Sequence, residues 1–324
     1  MDALSDVLRV SHLTGGVFLR ADLSAPWCIA LNIPREHCGP ALGTASHLMT
    51  YHYVIGGELR IRLDGPNGES DVVRSGEVVI LPRNDPHMIG TDLTMRAIPG
   101  RDVVQPPNGA GLYSIRHGGG GETTEMICGF IGYAGTESNP LIPMLPRLLR
   151  FNVEQGPAAD WVRSTFQYAA AEVSAGSPGS QTVLAKLSEL LFVETVRRYA
   201  ETMPAEQTGW LAGLREPHVG RALALLHGDI ARRWTVDELA RAAGLSRSAL
   251  SDRFLRLIGV PPINYLTNWR MQVAAATLRG TNAALAQVAQ DVGYDSEAAF
   301  SRAFKKAFGV APGTWRREGD RRGG

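Results

Sequence analysis

Near its C-terminus the chain carries one short pattern twice, and the spacing of the two copies limits the fold more than any other feature. Leu239 to Phe254 leads on to Gly259 and Pro262, and Val288 to Phe304 leads on to Gly309 and Pro312. Phe254 and Phe304, Gly259 and Gly309, and Pro262 and Pro312 are each 50 residues apart, whereas Ala240 and Ala289 are 49 apart because the second copy has an extra residue, Asp295, in its turn. Self-similarity at a fixed period marks a repeated structural unit. Each unit reads as a short helix, a turn holding glycine and a second helix, the signature of a helix-turn-helix.

The local chemistry of each copy agrees. Leu239, Ala240 and Ala243 fall on one helical face. Gly244 stands where a helix ends in left-handed backbone, and Ser246 is placed to cap the next helix. Leu250, Phe254 and Leu257 or Ile258 then form a buried stripe, and the small Ala240 lets the two helices cross closely. In the second copy Val288, Ala289 and Val292 face inward, Gly293 ends the helix, and Asp295 or Ser296 caps the next. Phe300, Phe304 and Phe308 supply its stripe. Ile263 to Leu278 reads as one long helix that must join the two units rigidly.

A chain of 324 residues has room for two or three domains. Its 44% apolar content excludes a disordered chain, and no apolar run is long enough to cross a bilayer. The acidic opening, Met1 to Asp6, lacks the basic and apolar regions of a signal peptide. Cys28, Cys38 and Cys128 form no C-x-x-C pair, so a reduced, cytoplasmic protein without membrane association is expected. The net charge of +1 hides an asymmetry: from Pro217 onward there are 16 Lys and Arg against 9 Asp and Glu, while the remainder has 17 against 23. A basic module on an acidic body suits attraction of one end to nucleic acid.

Met1 to about Phe130 reads as β-rich. Tyr51 to Ile55 leads through a Gly56-Gly57 turn to Glu58 to Leu63, whose alternation suits a half-buried strand, and Val72-Val73 and Glu77 to Leu81 follow. Many short strands between close turns argue for a sandwich or small barrel. Gly118 to Gly121 lacks the Lys-Ser or Lys-Thr of a phosphate loop and reads as a flexible loop. From Pro140 the pattern turns helical: Leu141 to Phe151 in short pieces, Trp161 to Val173 capped by Asp160, a turn at Ala175 to Gly179, then Gln181 to Tyr199 capped by Ser180. Val183, Leu184, Leu187, Leu190, Leu191, Val196 and Tyr199 give that last helix a wide apolar stripe. It packs on the barrel, pairs with its twin in a dimer, or does both. Glu201 to Gly213 reads as a linker.

Two resemblances emerge from these residues. The paired units, with Trp269-Arg270-Met271 on the connecting helix and Gly309-Val310-Ala311-Pro312 and Trp315-Arg316 closing the second, resemble the DNA-binding domain of AraC/XylS-family transcription regulators. Separately, Gly76, Pro82, Asn84 and His87 resemble the second motif of the cupins, with Asn84 where that motif usually has Gly. The first cupin motif is departed from: its paired His and its Glu are absent, and His47 and His52 are out of register. The stretch from Met1 through Ala25-Pro26-Trp27, His52, Gly57 and His87 to Ile127-Cys128-Gly129-Phe130 resembles the cupin-type sensor domain of a subset of AraC-family regulators. In that subset a tail like Asn139-Pro140-Leu141 to Leu145-Pro146 also follows. The expected architecture is an α+β multidomain chain: a cupin-like β jelly roll at 1–138, a helical linker and dimerisation segment at 139–212, and an all-α double helix-turn-helix domain at 213–324.

What the resemblance implies can be placed residue by residue. A recognition helix presents its first, unburied residues to base edges in the major groove. The family's base-contact positions fall on Ser248, Ser251, Asp252, Glu297, Ala298 and Arg302, and Ser301 lies on the same face. Arg302 is suited to a two-bond grip on guanine O6 and N7. Asp252 and Glu297 either accept from cytosine N4 or pair with an Arg of the protein. Arg247, Arg256, Lys305, Lys306, Arg316 and Arg317 suit phosphate contacts. Two recognition helices on one rigid domain should meet successive major-groove faces about 34 Å apart.

In the barrel, Trp27, Tyr51, His52, Tyr53 and His87 are the residues expected to line an effector cavity, with Cys38 and Cys128 nearby. His37, Cys38, His47, His52 and His87 are metal-ligand types, but their spacing fits no standard site, so no metal or other cofactor is expected. Cys128 and His52 match positions in sensor domains of this subset that respond to oxidants, although the early sensing Cys has no counterpart. The expected function is a dimeric, sequence-specific regulator of transcription, more an activator than a repressor, acting on promoter DNA. A small-molecule effector and, by the resemblance, RNA polymerase are its further partners. The alternatives are a cupin metalloenzyme with a DNA-binding tail and a regulator with a redox- or metal-responsive sensor. No Ser-His-Asp order, HExxH or CxxC offers other catalysis.

Overall fold

The computed structural model describes residues 2–10, 13–32, 47–65, 68–106, 113–133, 145–153, 180–203 and 208–323, with a few isolated positions between 141 and 168. His37, Cys38, Asn139-Pro140, most of the expected helix at 161–173 and the turn at 175–179 lie outside the described residues. Two compact units result. One gathers Leu13–Tyr133 and Leu145–Tyr199, the other Met1–His12, Ala134–Met144 and Ala200–Gly324.

The first unit contains two sheets. The larger is formed by β1 (Leu13–Ser24), β3 (His47–Gly56), β6 (Glu77–Leu81), β9 (Val104–Gln105), β10 (Tyr113–Gly118), β11 (Thr123–Tyr133) and β12 (Leu149–Asn152). Its strand order is β12-β6-β3-β11-β1-β10-β9. The smaller is formed by β2 (Cys28–Leu31), β4 (Glu58–Leu63), β5 (Ser70–Arg74), β7 (His87–Gly90) and β8 (Ile98–Pro99), in the order β5-β4-β7-β2-β8. A short helix, α2 (Gly100–Val103), joins β8 to β9. Trp27, Ile29, Val54, Leu59, Ile61, Val79, Leu81 and Met126 fill the interior.

Alternation along β3 divides its residues between two buried faces. Val54 belongs to the interior cluster, and His52, two residues away, shares its face. Tyr51 and Tyr53 take the other face, where the Tyr51 hydroxyl lies 3.4 Å from Ser188 Oγ of the long helix α3 (Ser180–Thr202). Ser188, Phe192, Thr195 and Val196 form the buried stripe of α3, while Val183 and Leu190 are exposed. Packing on the barrel thus accounts for one stripe of this helix and leaves part of its apolar surface uncovered.

Backbone conformation explains two of the sequence signals. Asn84 has φ +52, left-handed backbone that Asn tolerates better than most residues, at the position where the cupin motif usually has Gly. The Gly118–Gly121 stretch differs from the expected flexible loop. Gly119 N–H donates to Ser24 O at 2.9 Å and Gly121 N–H to Ala25 O at 2.8 Å. A Cβ on Gly118 would lie 1.9 Å from Ser24 O. Close backbone approach, rather than freedom, is what these glycines provide.

The second unit is helical: α1 (Ala3–Val10), α4 (Trp210–Arg215), α5 (Pro217–Gly228), α6 (Val236–Ala243), α7 (Arg247–Ile258), α8 (Pro262–Gly280), α9 (Leu285–Asp291), α10 (Glu297–Phe308) and α11 (Pro312–Gly323). Both helix-turn-helix units are present, as α6–α7 and α9–α10. The 19 residues of α8 make a rod of about 28 Å between them. The unit boundaries cut the chain differently from those read in the sequence. Trp210 and Leu211, inside the expected linker, are buried, and Trp210 Nε1 donates to Tyr265 Oη at 2.7 Å. At the other end of the chain, α1 joins the helical unit, burying Ala3, Asp6 and Val7.

Candidate functional site

Each recognition helix is built by the chemistry its sequence announces. Thr235 and Glu238 close a reciprocal capping box on α6. Gly244 ends that helix at φ +77, Ser246 accepts from Ala249 N–H to start α7, and Gly259 ends α7 at φ +81. In the second copy Ser296, not Asp295, accepts from Ala299 N–H to start α10, and Gly309 ends it at φ +75. Asp295 instead pairs with Arg233.

Burial of one face fixes what the other presents. Leu250 and Phe254 are buried on α7, and Phe300 and Phe304 on α10. Ser248, Asp252, Glu297, Ala298 and Arg302 are consequently exposed, with Ser251 and Ser301 half-buried at the edge of the same face. Among the described residues, Arg302, Asp252 and Glu297 have no ionic partner within the protein, so the expectation that the two carboxylates pair with an Arg is not met there. Arg256, Lys305 and Lys306 are exposed. Arg247 is 3.3 Å from Asp237, and Arg317 donates to Thr314 Oγ1. Arg316 differs from the others: it is half-buried and donates to Ala283 O, so its guanidinium is engaged inside the domain.

Several residues that hold this surface were not singled out in the sequence. Glu216 accepts from the His218 and Val219 amides at the start of α5 and from Arg253 of α7 at 2.9 Å. Burial alone would raise its carboxyl, but the Val219 amide and Arg253 outweigh it and hold the pKa below the ordinary value. His218 Nδ1–H donates to Ala243 O at the end of α6. Only Glu216 carried a readable signal, an acidic residue before Pro217 at a helix start.

His227 is a further buried polar group. Its Nε2 lies 2.8 Å from Tyr265 Oη and its Nδ1 3.6 Å from Asp6 Oδ2, too long for a hydrogen bond. Tyr265 Oη accepts from Trp210, and with its own proton donated to His227 Nε2 the imidazole proton stands on Nδ1, facing Asp6. Burial pulls the His227 pKa down to about 4, against the raising influence of Asp6 and Asp2.

In the barrel, His52 and His87 reach across the interior from opposite sheets, Nε2 to Nε2 at 3.0 Å. His52 Nδ1 is 3.0 Å from Cys128 Sγ, its register partner on β11, and His87 Nδ1 is 2.8 Å from Asp85 O. The Asp85 carbonyl can only accept, which fixes the direction of the whole chain for neutral rings. His87 Nδ1–H donates to Asp85 O, His52 Nε2–H donates to His87 Nε2, and Cys128 S–H donates to His52 Nδ1. Burial, and for His52 also its neighbour His87, lowers both imidazole pKa values, so both rings are neutral at pH 7. Burial likewise raises the Cys128 thiol, which holds it protonated and unreactive. Cys128 occupies the ring nitrogen of His52 that faces away from His87, so the three donor atoms do not converge, and among the described residues no group of three ligand types could hold a metal ion.

Of the five expected cavity residues the structure brings three to the interior: Trp27, His52 and His87. Tyr51 and Tyr53 face the opposite side of the sheet. An open cleft of about 630 Å³ lies elsewhere in this unit, lined among others by Gly57, Glu58, Arg60, Arg74, Thr91 and Glu122, and it contains none of the five.

A two-sheet cupin-type unit and a helical unit carrying two helix-turn-helix motifs define a DNA-binding transcription regulator. Residues 2–201 match the family described as Cupin, and residues 239–318 match the one described as Helix-turn-helix domain. An AraC-like transcription regulator of Streptomyces lividans is 31% identical, with 98% of each chain covered. The HTH-type transcriptional regulator AlkR of Acinetobacter baylyi is 26% identical over 98% of this chain and 100% of its own. The RCS-specific HTH-type transcriptional activator RclR of Escherichia coli is 24% identical over 98% and 97%. The chain belongs to the AraC-like transcription regulators with an N-terminal cupin domain. Both resemblances drawn from the sequence are thereby confirmed. Among the described residues no helix is long and apolar enough to cross a membrane.

Proposed function

We propose that the protein is a cytoplasmic, dimeric regulator that reads promoter DNA through α7 and α10 and changes its DNA-bound population when a small molecule engages the cupin unit. The observation that carries the DNA half is the pairing of two buried apolar stripes with two exposed faces. Ser248, Ser251 and Asp252 face bases from the first helix, and Glu297, Ala298, Ser301 and Arg302 from the second. Arg302 grips guanine, Asp252 and Glu297 accept from cytosine N4, and Arg247, Arg256, Lys305, Lys306 and Arg317 hold phosphates. Arg316 serves this surface by supporting Ala283.

Effector sensing is proposed for the interior around Trp27, His52 and His87. A ligand there must replace the His52–His87 hydrogen bond, and Tyr51 and Tyr53, on the other face of the same strand, carry the displacement to α3. The exposed Val183 and Leu190 of α3 support its role as the dimer helix. A shift of population requires that the effector bind the two states unequally. Activation through RNA polymerase is the mode proposed, in line with the name of the E. coli relative, and no enzymatic activity is part of the reading.

Selection of duplexes from a random library by the full-length protein tests the DNA half. An enriched sequence containing a guanine that Arg302→Ala no longer prefers is the expected result. Enrichment of nothing by the wild type overturns it. For the sensor half, a small-molecule panel is scanned by thermal shift with wild type and His52→Leu. A compound that stabilises only the wild type and alters its DNA affinity is expected, and a stabilising compound that leaves DNA affinity unchanged contradicts the coupling.

A further inference from the structure

The two helix-turn-helix units meet at a joint whose parts come from three separate stretches of sequence. The loop from Asp229 to Trp234 leads into the first unit. Arg270, in the middle of α8, donates from Nε to Ile230 O at 2.8 Å, and from Nη2 to Ala231 O at 3.2 Å and Arg232 O at 2.9 Å. Three successive carbonyls of one loop are thus held by one guanidinium. A planar fork with several fixed donors can do this, and a lysine ammonium cannot reproduce it.

The turn of the second unit sits on the same two partners. A Cβ on Gly293 would lie 2.5 Å from Ala231 O, 2.9 Å from Ala231 Cα and 2.8 Å from Arg270 Nη2, at a backbone φ of +81. The equivalent Gly244 of the first unit has φ +77, but its nearest neighbour is His218 Nδ1 at 3.6 Å, an ordinary contact. Gly244 therefore needs only a left-handed residue, whereas Gly293 also needs the absence of a side chain, because another part of the domain is pressed against it. Asp295, the residue added in the second copy, pairs across the same seam with Arg233; both side chains are largely exposed, so the pair contributes little energy and mainly marks the register. Ser296 and the first turn of α10 follow at once.

We infer that Arg270, the 230–232 carbonyls and Gly293 form a joint that fixes the distance and rotation between the two recognition helices, so that Arg270 determines the spacing of the two DNA elements the protein accepts. This rests on the reading that α7 and α10 both contact DNA. Arg270 is a positioning residue in it, touching neither base nor phosphate. The second unit is itself seated on α8, whose Met271, Ala274, Ala275 and Leu278 share a buried core with Val288, Ala289 and Val292 and with Phe300 and Phe304 of α10. The joint adds a direct tie between the two units, from the second turn to the loop that precedes α6, so their relative setting does not rest on the straightness of α8 alone.

The test uses the full-length protein and a duplex selected from a random library by the wild type, with variants carrying one or two base pairs inserted or deleted between the two protected elements. The wild type loses at least about tenfold in affinity for each single-pair change, because only one helix can then be seated well. Arg270→Ala binds the selected duplex roughly tenfold more weakly and discriminates among the spacings only a few-fold, with an unchanged dependence on salt. Arg270→Lys retains the charge and the stem, so it separates the fork from the charge. Its spacing preference is also relaxed if the three carbonyl bonds matter. Should Arg270→Ala fail to fold, Arg270→Lys is read against the same spacing series. Spacing preferences in the folded variants equal to the wild type's overturn the inference while leaving DNA binding intact. A wild type that selects no duplex, or one indifferent to spacing, defeats the underlying two-helix reading instead.

Discussion

The two helix-turn-helix units share one local program and differ in what holds them. Both start their recognition helix with a capping serine and end it in a left-handed glycine followed three residues on by proline. The first combines an aromatic cluster, with Phe254 and Tyr265 5.8 Å and His227 and Trp269 4.4 Å ring to ring, with polar ties: the Thr235–Glu238 capping box, the Glu216–Arg253 pair, the His218–Ala243 bond and the buried His227. The second is secured by aromatic packing, with Phe300, Phe304, Phe308 and Trp315 in contact within 6 Å ring to ring and Arg279 stacked on Trp315. Local turn chemistry specifies the motif, and a different tertiary solution stabilises each copy. The sequence repeat therefore predicts shape better than it predicts the response to mutation.

The largest effects should come from the aromatic stripe. Phe300→Ala or Phe304→Ala should cost about 3–5 kcal/mol in denaturant unfolding. Phe254→Ala should fall in the same range but spare the second unit, as residue-resolved hydrogen exchange would reveal. Equal loss of protection in both units would mean that the two fold as one and would break the comparison.

Next comes Glu216→Ala, which strips two amides and Arg253 of their partner and should cost about 1–3 kcal/mol. Its effect should be confined to α5–α7. Acid should also act on the first unit. His227, with its folded pKa lowered to about 4 from 6.5, is neutral when buried and takes up a proton more readily in the unfolded chain. Its contribution is present above pH 6.5 and is lost as pH falls towards 4, at up to about 1.4 kcal/mol per pH unit. The second helix-turn-helix unit contains no histidine. Hydrogen exchange at pH 5 against pH 7 should show earlier opening of α5–α7, and His227→Gln should reduce that difference; a pH profile that His227→Gln leaves unaltered would remove this asymmetry. The smallest effects concern caps. Thr235→Ala should lose about 1 kcal/mol, whereas α9 starts at Ala284 with no side-chain cap, so Ala284→Ser should gain a few tenths to 1 kcal/mol in thermal or denaturant midpoint.

Much of this was legible in the sequence wherever the cause is local. The repeat, the Ser246 cap, the glycines at 244, 259 and 309 and the exposed face of α10 depend on residues within one or two turns of each other. Period-two alternation in β4 and the turn at Gly76 placed strands as well. What escaped depends on long-range approach. Nothing near Arg270 in sequence reveals that its partners are the 230–232 carbonyls. Asp6 gives no sign of lying beside His227, and a glycine run at 118–121 reads as loose until Ser24 is seen against it. In the barrel the residue types were found but not their sides: alternation puts Tyr51 and Tyr53 opposite His52, which a list of aromatic and histidine residues does not distinguish.

The most direct test of the account separates base reading from phosphate attraction on α10. Affinity for the selected duplex is measured across a salt series for the wild type, Arg302→Ala and Lys305→Ala/Lys306→Ala. Arg302→Ala should lose about 1–3 kcal/mol on the preferred sequence, little on its guanine-substituted variant, and keep the salt slope. The double lysine variant should weaken both duplexes alike and flatten the slope by roughly two charges. If Arg302→Ala weakens both sequences equally and flattens the slope instead, α10 does not read bases through Arg302, and the assignment of the recognition face fails.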